Sequence, residues 1–131
     1  MAKKFADIKT TAGARVMLNL DCTAYVTATH GTNMADGAEV VLMTLNEEGF
    51  KQVSVPASQV EKLLKSINAL GDQFVKVAAI GGGELFLNTM FISSIDPLHG
   101  NDFSDGAAVN VMSSVVQVSS SSALDLINLV V

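Results

Sequence analysis

The chain has no tryptophan, one tyrosine, two prolines and a single cysteine among its 131 residues. One thiol, Cys22, excludes an internal disulfide and fits a reducing, cytosolic setting. Charged residues make up only 16%, which excludes the charge-rich compositions of disordered chains. No apolar run approaches the ~20 residues that a membrane-spanning helix needs, so no membrane partner is expected. The N-terminal stretch Met1-Ala-Lys-Lys-Phe-Ala-Asp7 lacks the apolar segment of a signal peptide. A soluble, cytoplasmic protein is the expectation.

What remains is an apolar chain, 49% hydrophobic, with a net charge of −5. The charge is unevenly placed. Residues 69–131 carry Lys76 against six acids, whereas Lys3, Lys4, Lys9 and Arg15 face only Asp7 within the first twenty residues. An acidic chain can still bind nucleic acid through such a local patch, against its own global field. High apolar content with little charge also points to surface hidden in a homo-oligomer.

The sequence states one stretch twice. His30-Gly-Thr-Asn-Met-Ala-Asp-Gly-Ala-Glu-Val40 returns at an offset of 69 as His99-Gly-Asn-Asp-Phe-Ser-Asp-Gly-Ala-Ala-Val109. At the same offset Phe5 meets Phe74, Gly13 meets Gly82, Leu18 meets Leu87 and Asn19 meets Asn88. Beyond Met112 the offset falls to 63, because residues around 46–51 have no counterpart, and Val60, Leu63, Leu64 and Ile67 then meet Ala123, Leu126, Ile127 and Val130. Such an ordered series reads as an internal duplication. The expected fold is α+β: one domain, 1–131, made of two repeats, 1–70 and 71–131. Each is an antiparallel β-meander followed by one helix, and the two share one core about a pseudo-twofold, because ~65 residues are marginal alone.

Strands are expected at 4–11, 14–20, 22–29, 38–45 and 50–55, and again at 74–80, 84–90, 90–96 and 107–113, with the hairpin after that fourth strand cut short in the second copy around Ser113-Ser114. Ser58-Gln-Val-Glu61 has the capping-box pattern and opens a helix that Gly71 stops; Ser122-Ala-Leu-Asp125 opens the second helix. That second helix is apolar almost all round, which suggests a subunit contact.

Motifs of chemistry are missing. His30, Asp36, His99, Asp102 and Asp105 lack metal-ligand spacing, and the His-Gly loops are better explained as turns. Cys22, in the strand-like Leu20-Asp-Cys-Thr23 with Phe91 at its place in the second copy, reads as a buried, inert thiol, and Gly81-Gly-Gly83 lies between strands with no following helix, unlike a phosphate loop. No catalytic residue, metal or cofactor is expected, and the chain is read as not an enzyme.

Strand alternation gives the informative pattern. With Ala6, Ile8, Val16 and Leu18 turned inward, and Val75, Val77, Leu85 and Leu87 likewise, the opposite face collects Lys9, Arg15 and Met17 with Phe5, Phe74, Lys76 and Phe86; Lys3 and Lys4 adjoin it. Rings among cations suit single-stranded nucleic acid, with bases stacking at ~1–3 kcal/mol each. The same rings also suit a subunit interface. Both readings stay open.

The pattern Ile8-Lys-Thr-Thr-x-Gly13-x-x-Val16-x-Leu18-Asn19, then Asp36-Gly-Ala-x-Val-Val41, Val53-x-Val55 and Val60-x-x-Leu-Leu64, resembles small bacterial and phage proteins. These include flagellar regulators and the phage sponges that sequester cyclic nucleotide signals. A sponge needs several cations around its phosphates, and this chain has one arginine. The tandem, acidic character is also similar to the small single-stranded-DNA-binding RNA polymerase cofactors of some tailed phages. That likeness implies single-stranded DNA as ligand, a role in viral transcription or replication, an RNA polymerase as possible partner and a host-cytoplasmic setting. The two alternatives are a nucleotide sponge and a structural or inhibitory interaction module.

Overall fold

Alternation, turn residues and one apolar helical stripe in each half build a chain with ten strands and two α-helices among the described residues. The computed structural model describes residues 4–31, 33–44, 49–112 and 114–131. The half from 1 to 70 contributes β1 (Phe5–Lys9), β2 (Arg15–Asn19), β3 (Thr23–Ala28), β4 (Gly37–Met43), β5 (Phe50–Pro56) and α1 (Ala57–Asn68). The half from 71 to 131 contributes β6 (Phe74–Ala78), β7 (Glu84–Asn88), β8 (Ile92–Pro97), β9 (Ala107–Val111), β10 (Ser114–Val118) and α2 (Ser120–Val130). The fold is α+β, and the strand pairs are antiparallel.

Three sheets result. β1 and β2 pair with each other; β5, β4, β3, β7 and β6 form a five-stranded sheet in that order; β10, β9 and β8 form a third. The seam between halves is the pairing of β3 with β7, Tyr25 opposite Leu87 and Val26 opposite Phe86. A completed twofold would also pair β2 with β8. Instead β2 pairs with β1 alone and β8 with β9 alone, so the expected pseudo-twofold is not closed.

Within each half the first hairpin touches its own last strand in the same way. Thr11 N–H donates to the Ser54 carbonyl at 3.0 Å, and Ile80 N–H to the Gln117 carbonyl at 3.0 Å. Short 3₁₀ turns follow β2 and β7, at Leu20–Cys22 and Thr89–Phe91. Both are capped by asparagine: Asn19 Oδ1 accepts from Asp21 N–H, and Asn88 Oδ1 from Met90 N–H, each at 3.0 Å. In the repeated loops Asn33 accepts from Ala35 N–H and Asp102 from Ser104 N–H, again at 3.0 Å. The glycines that close those loops, Gly37 and Gly106, have φ of 135° and 115°, which favours a residue without Cβ.

One local expectation agrees with the structure and two need correction. The hairpin of the second half is cut short at the expected place: Met112, at φ 56°, turns the chain so that Ser114 pairs directly with Val111. Helix α1 starts at Ala57 with Pro56 as its N-cap and no side-chain cap, because β5 runs straight into the helix; Ser58 already lies in the first turn. Helix α2 starts earlier than expected, with the Ser119 hydroxyl accepting from Ser122 N–H at 3.3 Å.

Two cores replace the single shared one. Ile8, Leu18, Val26, Val40, Leu63 and Ile67 pack together and enclose Phe74 and Phe86 from the other half. Val77, Leu85, Leu87, Val109, Val111 and Leu126 form the second cluster and enclose Ala24 from the first half. Strand β7 joins them. Its alternation sends Phe86 into one core and Leu85 and Leu87 into the other, so Leu85 through Asn88 are all buried.

Candidate interaction surface

The side chains gathered by strand alternation divide between two hairpins that belong to different sheets. On β1–β2, one face carries Ala6, Ile8 and Leu18 into the core, and the other presents Phe5, Asp7 and Lys9 beside Asn19, Met17 and Arg15. Phe5 is 55% exposed and Met17 50%. That half of the expected face is on the surface; Lys4 adjoins it, and Lys3 lies outside the described residues.

On β6–β7 the expectation fails for the rings. Phe74 and Phe86 do lie opposite Leu85 and Leu87 by parity, but they are 7% and 9% exposed. Alternation identifies a face, not its cover, and here the first core covers it. Neither ring is open for a base to stack on.

The cations are mostly partnered. Arg15 donates twice to Asp7, Nε to Oδ1 at 2.9 Å and Nη2 to Oδ2 at 2.8 Å. That fork holds the Asp7 carboxyl below its ordinary value and raises the guanidinium's. Lys4 lies 3.1 Å from Asp21, which also accepts from Gln73 Nε2 at 2.9 Å; the Gln73 bond, then Lys4, lowers the Asp21 carboxyl. Lys76 pairs with Glu84. Each of these bridges is exposed and contributes little to stability. The Arg15–Asp7 and Lys76–Glu84 bridges occupy equivalent diagonal places on the two hairpins, with the signs reversed.

Three clefts bear on binding. One of about 420 Å³ is lined by Lys9, Arg15 and Lys62 with Asp7, Gly13 and Gln59, so three cations there meet one carboxylate. A second, about 610 Å³, lies where the halves meet, between α1, the Asn33–Ala35 turn and Phe86. Its Lys65 and Lys76 each have a carboxylate beside them, Glu61 and Glu84. The third, about 520 Å³, runs beside β2 and is lined by Met17, Leu18, Cys22, Leu42, Met43 and Val53 among others. Cys22 is half-buried at its wall.

The repeated loops hold no candidate metal centre. His30 and His99 are both exposed, and no group of three His, Cys, Asp or Glu side chains able to hold an ion occurs among the described residues. Glu39 does gather donors: burial pushes its carboxyl up, but Ser54, Thr29 and Gln52 hydrogen bonds and the nearby His30 together hold it below the usual range. Its counterpart at the repeat offset is Ala108, so this cluster is a feature of the first loop alone.

Sequence reading missed that β2 and β8 are edge strands of their sheets. The second face that Leu124, Leu129 and Val131 give the second helix in sequence is in part open: Leu124 is 52% exposed and Val131, at its C-cap, 98%, while Val130, expected in the inward stripe, is 46% exposed. Among the described residues no helix is long and apolar enough to cross a membrane. No family model matches the chain, and no curated protein or solved structure matches it.

Proposed function

We propose that this chain is a non-catalytic, self-associating interaction protein, built from a duplicated unit, whose β1–β2 hairpin is its contact surface. One observation carries the reading. Phe5 and Met17 stand exposed at the positions where their counterparts at the repeat offset, Phe74 and Phe86, are buried against the other half. Exposed aromatic and methionine side chains on a free sheet edge are costly to leave in water and are typical contact anchors.

Sedimentation tests it. The wild type is expected to form multimers in the micromolar range, and Phe5→Glu/Met17→Glu is expected to be monomeric with an unchanged circular-dichroism spectrum. A wild type that stays monomeric at 100 times that concentration sinks the reading.

A second reading rests on the cleft of Lys9, Arg15 and Lys62. Three cations around one carboxylate suit an anionic polymer, and single-stranded nucleic acid is the reading carried from the sequence. Without Phe74 and Phe86 it relies on charge, so its binding should fall steeply with salt. A labelled oligonucleotide that binds at low salt, and is lost with Lys9→Glu/Lys62→Glu, supports this; no binding to the wild type at low salt ends it.

A further inference from the structure

The surface that receives the hairpin can be named from the chain's own seam. Resting on the self-association reading above, we infer that copies of this chain join head to tail, β2 of one copy adding antiparallel to the free edge of β8 of the next, beneath α2.

The internal seam supplies the pattern. β7 adds to the edge of β3, with Tyr25 opposite Leu87 and Val26 opposite Phe86. Shifted by 69, the same register places Ser94 opposite Leu18 of a second copy and Ile95 opposite its Met17. Both strands are available: β8 is the edge of its sheet and β2 has one neighbour. Their burial agrees with this. Three of the six residues of β3 are buried and none of β8, and β7 is buried from Leu85 to Asn88 while β2 buries only Leu18.

Three further features fit the same joint. Asn88 Nδ2 crosses the internal seam to the carbonyls of Thr23, at 2.8 Å, and Leu20, at 3.3 Å. Its counterpart Asn19 uses Oδ1 in the same cap, and its Nδ2 has no partner among the described residues. The seam equivalence aims that amide at the Ile92 and Thr89 carbonyls of the neighbour. Beside β2, the open cleft of about 520 Å³ lies where, around β7, Ala24 and Tyr25 of the other half pack. Finally, α1 lines the cleft over Phe86 with Glu61 and Asn68, whereas the offset of 63 puts Leu124 and Val131 at those places on α2. The outer face of α2 is apolar where it would cover the neighbour's Met17.

The joint is heterologous, since two different surfaces meet, and it propagates into a ring or a filament. It is smaller in side-chain contact than the internal seam, because Ser93 and Ser94 replace Ala24 and Tyr25. It should therefore dissociate on dilution while each chain stays folded.

Directed crosslinking tests polarity and register in a Cys22→Ser background. Met17→Cys and Ile95→Cys chains are made separately, mixed and oxidised; facing residues of an antiparallel pair lie within disulfide reach. Expected is a heterodimer that requires both variants, with little product from either alone. Disulfide dimers of Met17→Cys with itself overturn the head-to-tail joint while leaving the hairpin a contact surface. An internal crosslink in the doubly substituted chain, with no intermolecular product, overturns it in favour of closure within one chain. No crosslink of either kind from a wild type that sediments as a multimer overturns the register; a monomeric wild type overturns the self-association reading itself.

Discussion

The side-chain amide of Asn88 donates to the backbone carbonyl of Thr23 at 2.8 Å, tying the end of β7 to the start of β3 across the boundary between halves. Asn88 is fully buried, and it also reaches the Leu20 carbonyl and accepts from Met90 N–H. The two halves are thus joined by a polar clasp as well as by strand pairing and apolar packing.

Asn88→Ala is expected to cost about 3 kcal/mol, because it removes three hydrogen bonds at a site closed to water. Asn19→Ala, which loses a half-buried cap, should cost about 1 kcal/mol in the dilute monomer. Urea unfolding of both variants decides the matter; equal costs contradict the clasp.

Phe86→Ala is expected to destabilise the chain by about 3–5 kcal/mol, as for a ring removed from a packed core. Phe5→Ala, on the exposed hairpin, should change the monomer by less than about 0.5 kcal/mol. Denaturant midpoints measured below the association range compare them, and a Phe86→Ala change as small as that of Phe5→Ala is incompatible with the burial found here.

Asp7, Asp21, Asp102 and Glu39 all have carboxyls held below their ordinary values. At Asp102 the bonds from Ser104, first its hydroxyl and then its backbone N–H, produce the shift. A carboxylate depressed in the folded chain contributes stability above its unfolded pKa, and that contribution disappears as the pH falls through the folded value. Stability should therefore hold near neutrality and decline below about pH 4, the ordinary carboxylate range. A urea midpoint that rose on acidification would contradict the four assignments, and Asp7→Asn should make the acid decline shallower.

Gly106→Ala should be the more damaging of two glycine substitutions. Its φ of 115° strains any side chain, and a Cβ there runs into the Val118 carbonyl, where the loop passes beneath the end of β10. Gly13→Ala meets open space at φ 87° and pays for conformation alone, about 1 kcal/mol. A Gly106→Ala cost below that of Gly13→Ala in thermal unfolding refutes the close approach.

What the residues disclosed was local. Ala6, Ile8 and Leu18 alternate with Phe5, Lys9 and Met17, so the first hairpin and its two faces were legible, and so were the helical stripes of Val60, Leu63 and Ile67 and of Ala123 and Leu126. The pairing of β3 with β7 was not, because it joins strands some sixty residues apart and no turn announces it. Leu85-Phe-Leu87 illustrates the difficulty: a ring between two leucines reads the same whether its face meets solvent or a second core. The surface was misjudged for that reason, with Phe74 and Phe86 placed beside Phe5 though only Phe5 is exposed. Ion pairs were equally hidden, since Arg15 and Asp7 meet diagonally across strands.

Because β7 is buried on both faces, the order in which the chain leaves the ribosome acquires meaning. Phe86 lines a cleft with Met34, Val60 and Leu64, all of which precede it in the chain. The first hairpin, β3 to β5 and α1 all precede residue 74, so they emerge first and offer the surface on which β7 is laid. The second half depends on that surface, since its strand 84–88 has nowhere to bury Phe86 until the first half is in place. Synthesis from the N-terminus presents the two pieces in the sequence that their packing requires.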